Sequence, residues 1–159
     1  MNDPVAIRAA LESAETIAVV GCSPNPRRPS NEIARYLKEE AGYRIVPVNP
    51  HFSEVLGELC YPSLSAVPAD VRVDVVDVFR RSEHVGPVAD EAIARGVPFF
   101  FFMQLGVEDA AAACRLEEAG AGVAMNRCIF IEHRRLGIRP KSRNAGAGSG
   151  VSPLSRHGT

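Results

Sequence analysis

The stretch that decides the fold is Thr16-Ile-Ala-Val-Val-Gly21, together with the loop Cys22-Ser-Pro-Asn-Pro-Arg-Arg-Pro-Ser30 that follows it. A continuous apolar run that ends at a glycine is typical of a strand buried on both faces of a sheet. Beyond the loop, Ser30 is expected to cap a helix, and Gly42 is expected to end it. A strand, a loop and a helix in this order predict the first βα unit of a parallel sheet.

Strands and helices continue to alternate along the chain. The sequence predicts further strands at residues 43–48, 73–79, 98–103 and 122–125, and helices at residues 4–14, 82–95, 108–119 and 127–135. Ser82 is expected to cap its helix, and residues 49–57 are expected to form a loop. Pro47 indicates that the second strand either lies near an edge of the sheet or is irregular there, because proline cannot donate a ladder hydrogen bond. The expected fold class is α/β, a doubly wound parallel sheet of about five strands with helices on both faces.

The composition and charge exclude several classes of protein. With 159 residues, 46% of them hydrophobic and 23% charged, the chain has the size and composition of one globular domain. Its formal net charge of -1 provides no general attraction to nucleic acid or to an acidic membrane surface. No apolar run approaches the roughly 20 residues of a membrane-spanning helix. The 4 cysteines show no metal-binding or redox spacing, so we expect reduced thiols and a cytoplasmic location.

The last residues of the chain differ from the rest. Residues 139–159 are rich in glycine, serine and alanine and contain basic residues but no acidic one. Such a segment buries too little apolar surface to offset its ordering entropy, so we expect a disordered basic tail after a folded domain at residues 1–138. That domain carries more acidic than basic residues, so an anion-binding site in it must be local.

Ligands of open α/β sheets bind at the carboxyl ends of the strands, near the point where the strand order reverses. The loop after the first strand lies there and contains Gly21, Ser23, Arg27, Arg28 and Ser30. Free amides at a helix start favour an anion, and guanidinium groups supply donors suited to phosphate. The loop has neither a G-x-G-x-x-G nor a P-loop pattern. The sequence favours a phosphate site, with a solvated basic loop as the alternative.

Two further loops are predicted at the same edge of the sheet. Asn49 and Pro50 follow the second strand, where an NAD-binding fold usually has an acidic residue for the ribose. Two roles fit Asn49, which can contact a base or sugar or simply form the turn. Phe79 and Arg80 follow the next strand, and Arg80 or Arg81 either faces a ligand or pairs with a surface carboxylate.

Amide side chains follow the last two strands. Gln104 and Asn126 either recognise a polar part of a ligand or satisfy loop backbone groups. The sequence contains no G-x-S-x-G motif, and its scattered histidines form no triad pattern. We therefore assign no catalytic residue and no metal ligand.

Cys22 has two interpretations. It lies beside Gly21 and near Arg27 and Arg28, where positive charge would lower the pKa of a thiol and favour redox chemistry. A free cysteine is more often a small buried residue, and we favour that packing role. Cys114, in an alanine-rich helix, is expected to lie in the core.

The same segments resemble those of a known family, the small single-domain CoA-binding proteins, whose fold is similar to the CoA-binding domain of the succinyl-CoA synthetase α subunit. The matching stretches follow the family's order and span residues 16–132. They are Ala18-Val-Val-Gly-Cys-Ser23 with Arg28-Pro-Ser30, Tyr43-Arg-Ile-Val-Pro-Val-Asn-Pro50, Val73-Asp-Val-Val-Asp-Val-Phe-Arg-Arg-Ser82, Met103-Gln-Leu-Gly106 and Met125-Asn-Arg-Cys128. Each stretch alone is a weak marker, whereas the set in this order is specific.

The resemblance implies a Rossmann-like domain that binds coenzyme A. The loop at residues 21–30 would hold the phosphates. Asn49, Pro50, Phe79 and Arg80 would flank the adenosine end, and Gln104 and Asn126 would lie nearer the pantetheine. Many members have a small residue such as alanine at the position of Cys22. The sequence lacks the second domain that carries the phosphorylated histidine of the synthetase, so ligase activity is not implied.

We expect a cytoplasmic protein that binds coenzyme A, or an acyl-CoA, as a small-molecule ligand without catalysis of its own. Neither nucleic acid nor a membrane is expected as a partner. Two alternatives stay open. One is an NAD(P)-linked oxidoreductase domain, in which Arg27 or Arg28 serves an NADP phosphate. The other is a thiol-redox module that uses Cys22.

Overall fold

The structure, a computed structural model, describes residues 1–142. Its elements follow in the order α1 (Pro4–Ser13), β1 (Thr16–Val20), α2 (Pro29–Arg35), β2 (Arg44–Val48), β3 (Glu54–Val55), β4 (Glu58–Leu59), β5 (Val75–Val78), α3 (Val85–Arg95), β6 (Phe100–Met103), α4 (Ala110–Glu118), β7 (Gly122–Met125) and α5 (Ile129–Arg135). A π-helical turn at Tyr36–Glu40 extends α2, and a 3₁₀ turn at Ser82–His84 precedes α3. Over residues 1–142, no helix is long and apolar enough to cross a membrane.

Five strands form one parallel sheet in the order β2-β1-β5-β6-β7, and β3 and β4 form a separate short hairpin. The expected α/β fold with a five-stranded parallel sheet is confirmed, and it is Rossmann-like. β2 is an edge strand of this sheet, one of the two alternatives that Pro47 indicated. The chain moves from β1 to β2 on one side and later to β5 on the other, so the strand order reverses between β1 and β5. This reversal fixes where a ligand site is expected.

Helices cover both faces of the sheet, so each strand buries side chains in two separate cores. Ala18 and Val20 of β1 pack with residues of α3 and α4, whereas Ile17 and Val19 pack with residues of α1, α2 and α5. Every residue of β1, β5 and β6 is buried. Burial on both faces explains why these strands are nearly continuous apolar runs instead of alternating ones.

The predictions that Ser30 and Ser82 cap helices are wrong. Helix α2 begins one residue before Ser30, at Pro29, which suits a first position because it has no N–H to satisfy. The Ser30 hydroxyl instead accepts a hydrogen bond from the Ser23 N–H at 3.0 Å. The Ser82 hydroxyl accepts one from the Glu108 N–H at 2.9 Å. Each serine therefore joins two segments at the carboxyl edge of the sheet instead of closing its own helix.

The hairpin of β3 and β4 stands where the sequence predicted a loop. Its two central residues, Leu56 and Gly57, have φ values of 56° and 74°. A type I′ turn needs positive φ at both positions. The sequence did not reveal it because leucine rarely adopts this conformation.

The packed part of the chain extends past residue 138. Ile138 is buried, and the Lys141 N–H donates to the Ala41 carbonyl at 2.8 Å. The Lys141 ammonium donates to the Glu12 carbonyl at 2.6 Å and lies 5.4 Å from the centre of the Tyr43 ring. Residues 139–141 therefore belong with the folded part, beyond the boundary predicted at residue 138. The disorder predicted for the rest of the tail, residues 143–159, lies outside the described residues.

Candidate ligand-binding cleft

An open cleft of about 750 Å³ lies at the carboxyl ends of the strands, where the strand order reverses. Its lining residues are Gly21, Ser23, Arg28, Pro29, Ser30, Ile33, Asn49, His51, Phe52, Phe79, Arg80, Arg81, Gln104, Leu105, Val107 and Cys128. Most residues predicted for the site are therefore brought together here. The predicted residues that do not line the cleft are Cys22, Arg27, Pro50 and Asn126.

Gly21 allows two loops to approach closely at the floor of the cleft. Its φ of 86° is a left-handed conformation that glycine adopts without strain. A Cβ at this position would lie 2.6 Å from the backbone carbonyl oxygen of Phe79, which follows β5. The Gly21 N–H donates to the Val48 carbonyl at 2.8 Å and so ties the turn to β2. Glycine is therefore required where the ends of β2, β1 and β5 meet.

Side-chain hydrogen bonds fix the loop between β1 and α2. The Ser23 N–H donates to the Ser30 hydroxyl at 3.0 Å, and the Asn31 side-chain amide donates to the Ser23 carbonyl at 2.8 Å. Both Arg27 and Arg28 are exposed, but only Arg28 lines the cleft. Of the two adjacent arginines, the structure thus brings one to the cleft.

The wall of the cleft is cationic. Arg28 comes from the loop after β1, and Arg80 and Arg81 come from the loop after β5. Within residues 1–142, no carboxylate lines the cleft, and none pairs with these three arginines. Their guanidinium groups are available for an anion, and they suit phosphate because they present several donors in one plane.

Asn49 forms the turn after β2, the role that the sequence left open. Its side-chain amide donates to the Cys22 carbonyl at 3.0 Å, and its side-chain oxygen accepts from the His51 N–H at 3.0 Å. The residue also lines the cleft, so its position beside a ligand stays a prediction. Because the N–H and the oxygen of its side-chain amide already bond to backbone, Asn49 is a poor substitute for the acidic residue that NAD-binding folds place here.

Gln104 and Asn126 also satisfy loop backbone groups. The Gln104 side chain is 4% exposed, and its amide donates to the Arg127 carbonyl at 3.2 Å. The Asn126 side-chain oxygen accepts from the Gly106 N–H at 2.7 Å. Gln104 lines the cleft and Asn126 does not, so only Gln104 is placed to meet a ligand there without a movement of the loop.

The structure adds aromatic and apolar residues that the sequence analysis missed. They are His51 and Phe52 after β2, Ile33 in α2, and Leu105 and Val107 after β6. Phe52 and Leu105 are 44% and 60% exposed, so the cleft presents apolar surface to a ligand. The sequence contains one signal for these cleft-lining residues, which is a large apolar residue within a loop that is otherwise polar or rich in proline.

Cys22 is a packing residue. Its side chain is fully buried, and it belongs to the core formed with α1, α2 and α5. Burial, together with smaller contributions from the nearby Cys60 and Asp77, raises the pKa of the Cys22 thiol to about 12. The predicted lowering of this pKa by Arg27 and Arg28 is wrong, because desolvation outweighs any attraction to exposed guanidinium groups. The packing interpretation of Cys22 is confirmed. A buried thiol with a raised pKa does not support the alternative of a thiol-redox module that uses Cys22.

Of two other cysteines, Cys128 lies at the cleft, whereas Cys114 differs from expectation. Cys128 lines the cleft, at the residue that precedes α5. Burial raises the pKa of its thiol, while hydrogen bonds from the N–H groups of Ile131 and Phe130 oppose that rise. Cys114 was expected in the core but is exposed, with its Sγ 3.5 Å from a carboxylate oxygen of Glu118. That prediction is wrong because Cys114 lies on the outer face of α4.

Asp77 is a buried carboxyl group that the sequence analysis did not single out. It lies in β5 between Val19 of β1 and Phe102 of β6 and is fully buried. Neither of its carboxyl oxygens has a hydrogen-bond partner among the described residues. Burial raises the pKa of Asp77 well above its ordinary range, because the charged form is poorly solvated there. Asp77 does not line the cleft.

The comparison with protein families agrees with this site. Residues 15–134 match the model of a family described as the CoA binding domain. The chain belongs to this family. The match begins just before β1 and ends within α5, so it includes every segment that forms the cleft. Membership of the CoA binding domain family was expected from the resemblance and is confirmed.

Relatives of two kinds share this domain. The uncharacterized protein YneT of Bacillus subtilis is 39% identical over 127 residues, which are 80% of this chain and 91% of the relative. A solved structure of a hypothetical protein from Pyrococcus horikoshii OT3 has a TM-score of 0.78 and 36% identity, and the match covers 84% of this chain and 92% of that one. Both are similar in length to the folded part of this chain.

The second kind of relative is much longer. The ADP-forming acetate–CoA ligase I of Archaeoglobus fulgidus is 34% identical over 64 residues, which are 40% of this chain and 9% of the ligase. A dinucleotide-forming acetyl-coenzyme A synthetase 1 of Ca. Korarchaeum cryptofilum has a TM-score of 0.65 and 28% identity over 79% of this chain and 28% of that one. The chain thus corresponds to a small part of these enzymes.

Proposed function

We propose that the chain binds coenzyme A or an acyl-CoA in the cleft, with the phosphates at the first βα loop, and that it has no catalytic activity of its own. The observation that carries this proposal is the order of chemical groups along the carboxyl edge of the sheet. An aromatic side chain follows β2, arginines follow β1 and β5, and apolar and amide side chains follow β6.

This order has the polarity of an extended ligand. Neighbouring strands lie about 4.8 Å apart, so the ends of β2 and β6 are separated by about 14 Å. Phe52 lies at one end of this span, Arg28 and Arg80 lie in the middle, and Leu105 lies at the other end. Coenzyme A has the same sequence of parts, which are a purine, a group of phosphates and a pantetheine arm.

The arginines explain how an acidic domain can bind so anionic a molecule. The charge that attracts phosphate is confined to Arg28, Arg80 and Arg81, and no carboxylate of residues 1–142 lines the same cleft. A charge-assisted hydrogen bond of this kind is about twice as strong as a neutral one. The hydrogen-bonded loop between β1 and α2 is fixed before the ligand arrives, which lowers the entropic cost of binding.

Binding without chemistry fits the titratable groups of the cleft. Its lining contains arginines, His51 and Cys128, with no carboxylate among the described residues. The Cys128 thiol has a raised pKa, so its nucleophilic thiolate is scarce at neutral pH. Among the hydrogen bonds of residues 1–142, none joins two lining side chains as the nucleophile and base that catalysis requires.

Titration calorimetry with the full chain tests the proposed function. We expect CoA and acetyl-CoA to bind and to raise the melting temperature, because a ligand that binds only the native state stabilises it. NAD and NADP should bind more weakly, since Asn49 replaces the acidic ribose ligand and already bonds to backbone. Equal or tighter binding of NAD or NADP would favour the oxidoreductase alternative and contradict the proposal.

A further inference from the structure

Phe52 is an aromatic side chain that the fold leaves exposed at one end of the cleft. It is 44% exposed and lines the cleft after β2, on the edge side of the sheet. It belongs to neither of the two hydrophobic cores. The fold therefore gains little from Phe52, and its phenyl ring is available to a ligand in the cleft.

The loop that presents Phe52 is held by hydrogen bonds on both sides. The Asn49 side chain accepts from the His51 N–H at 3.0 Å, one residue before Phe52. The Cys60 N–H donates to the Ser53 carbonyl at 2.9 Å, one residue after it. The His51 ring also lies edge-on to the Phe52 ring, with 6.5 Å between their centres. The ring is thus positioned before a ligand binds, as an efficient recognition surface requires.

We propose that Phe52 stacks on the purine of the ligand and makes the cleft selective for pantetheine compounds that carry an adenosine moiety over those that lack one. The inference rests on the proposed function, because it assigns one end of the same ligand to one end of the same cleft. Arg28 and Arg80 follow strands that lie between β2 and β6. Of the two phenyl rings that line the cleft, Phe79 packs against a core and Phe52 does not, so a purine joined to phosphates fits the β2 side. 4′-Phosphopantetheine, which has no purine, leaves that side empty.

The physical basis is the π-face that every nucleobase presents. Stacking of a base on an aromatic side chain needs no hydrogen-bond pattern, and replacing the aromatic residue by alanine weakens binding by about fivefold to 150-fold. This explains how the β2 side can recognise a base although the Asn49 amide is committed to the Cys22 carbonyl and the His51 N–H. Recognition there rests on shape and stacking instead of polar contacts.

Calorimetry with three ligands tests the inference on the full chain. The ligands are CoA, adenosine 3′,5′-bisphosphate and 4′-phosphopantetheine. We expect Phe52→Ala to weaken the first two by about fivefold to 150-fold and to leave the third unchanged. Phe52→Leu, which keeps an apolar side chain without a π-face, should lose most of the same affinity. Ile131→Ala replaces an apolar residue that is 46% exposed but lies outside the cleft, so it is the matched control and should leave the binding of all three ligands unchanged.

The outcomes separate this inference from the proposed function. If the wild-type chain binds no CoA, the proposed function fails and the inference fails with it. If the wild type binds CoA but Phe52→Ala weakens 4′-phosphopantetheine as much as CoA, or weakens neither, the proposed function stands and the inference is overturned. Full affinity in Phe52→Leu would likewise overturn stacking. The melting temperature of each variant confirms that the chain is folded.

Discussion

The α-carbon of Gly21 faces the backbone carbonyl of Phe79 so closely that a Cβ would lie 2.6 Å from the oxygen. This contact brings the end of β1 against the end of β5, where the strand order of the sheet reverses. Gly21 and Phe79 both line the cleft, so this contact forms part of the site. Because Gly21 has no side chain, the ends of β1 and β5 can approach each other closely beside the cleft.

We expect Gly21→Ala to destabilise the chain and to weaken ligand binding. The positive φ alone costs about 1–3 kcal/mol for a residue with a Cβ, and the clash with backbone adds to that cost. Gly137→Ala is the matched control, because Gly137 has a φ of 66° with nothing within 4 Å of its Cβ position and lies outside the cleft. Urea unfolding of both variants measures the difference. Equal losses of stability would show that the contact with Phe79 carries no cost.

Replacing Arg28 should weaken CoA binding more than replacing its neighbour. Loss of a charge-assisted phosphate contact costs about 1.5–3 kcal/mol, or roughly tenfold to a hundredfold in the dissociation constant. Arg27→Ala removes the same charge from the same loop, but Arg27 does not line the cleft, so its effect should be small. Calorimetry at fixed ionic strength compares the two. Equal effects would indicate general electrostatic attraction instead of a contact at Arg28.

The cleft predicts which thiol reacts with a disulfide of CoA. Cys22 is fully buried, whereas Cys128 is 7% exposed and lines the cleft. The Cys128 thiolate would attack one sulfur of CoA disulfide, forming a mixed disulfide and releasing the other CoA as its thiolate, which takes up a proton. Because the pKa of Cys128 is raised, the reaction should be slow at neutral pH and faster at higher pH.

Intact-mass measurement after treatment with CoA disulfide checks this prediction. The adduct should be removed by reductant, persist in Cys22→Ser and disappear in Cys128→Ser. Exposed Cys114 can also react, so the experiment uses a Cys114→Ser background. An adduct lost in Cys22→Ser and kept in Cys128→Ser would show that the first loop opens to the ligand.

Asp77 should make the chain less stable as pH rises. Its pKa is raised in the folded state, so its contribution to stability is fully present below the ordinary pKa of 3.8 and is lost as the pH rises through the folded-state pKa. Asp77→Asn removes this ionisation. We expect the free energy of unfolding of the variant, relative to wild type, to increase between pH 3.5 and pH 8, as measured by urea unfolding. The same difference at both pH values would contradict the account of Asp77.

Much of the fold and part of the cleft could be predicted from the sequence. The strand ending at Gly21 and the arginines after it follow one another in the chain, so local reasoning placed them at the first βα turn. The sequence offered two roles each for Asn49 and Gln104 but could not decide between them, because their partners at Cys22 and Arg127 are distant in sequence.

Other features were hidden for different physical reasons. Phe52 carries no motif, and only the folded loop shows that it lines the cleft instead of a core. Asp77 lies within an apolar run, and an acidic residue in a strand is usually expected to face solvent. Its burial becomes evident only when helices are seen to cover both faces of the sheet. Burial also decided the state of Cys22, since its neighbours in sequence indicated a lowered pKa.

A crystal structure of the chain with CoA tests the central claim most directly. The account predicts phosphates within hydrogen-bond distance of Arg28 and Arg80, the purine on the β2 side against Phe52, and the pantetheine arm running toward Leu105 and Cys128. CoA bound outside this cleft, or bound with its pantetheine arm on the β2 side, would contradict it.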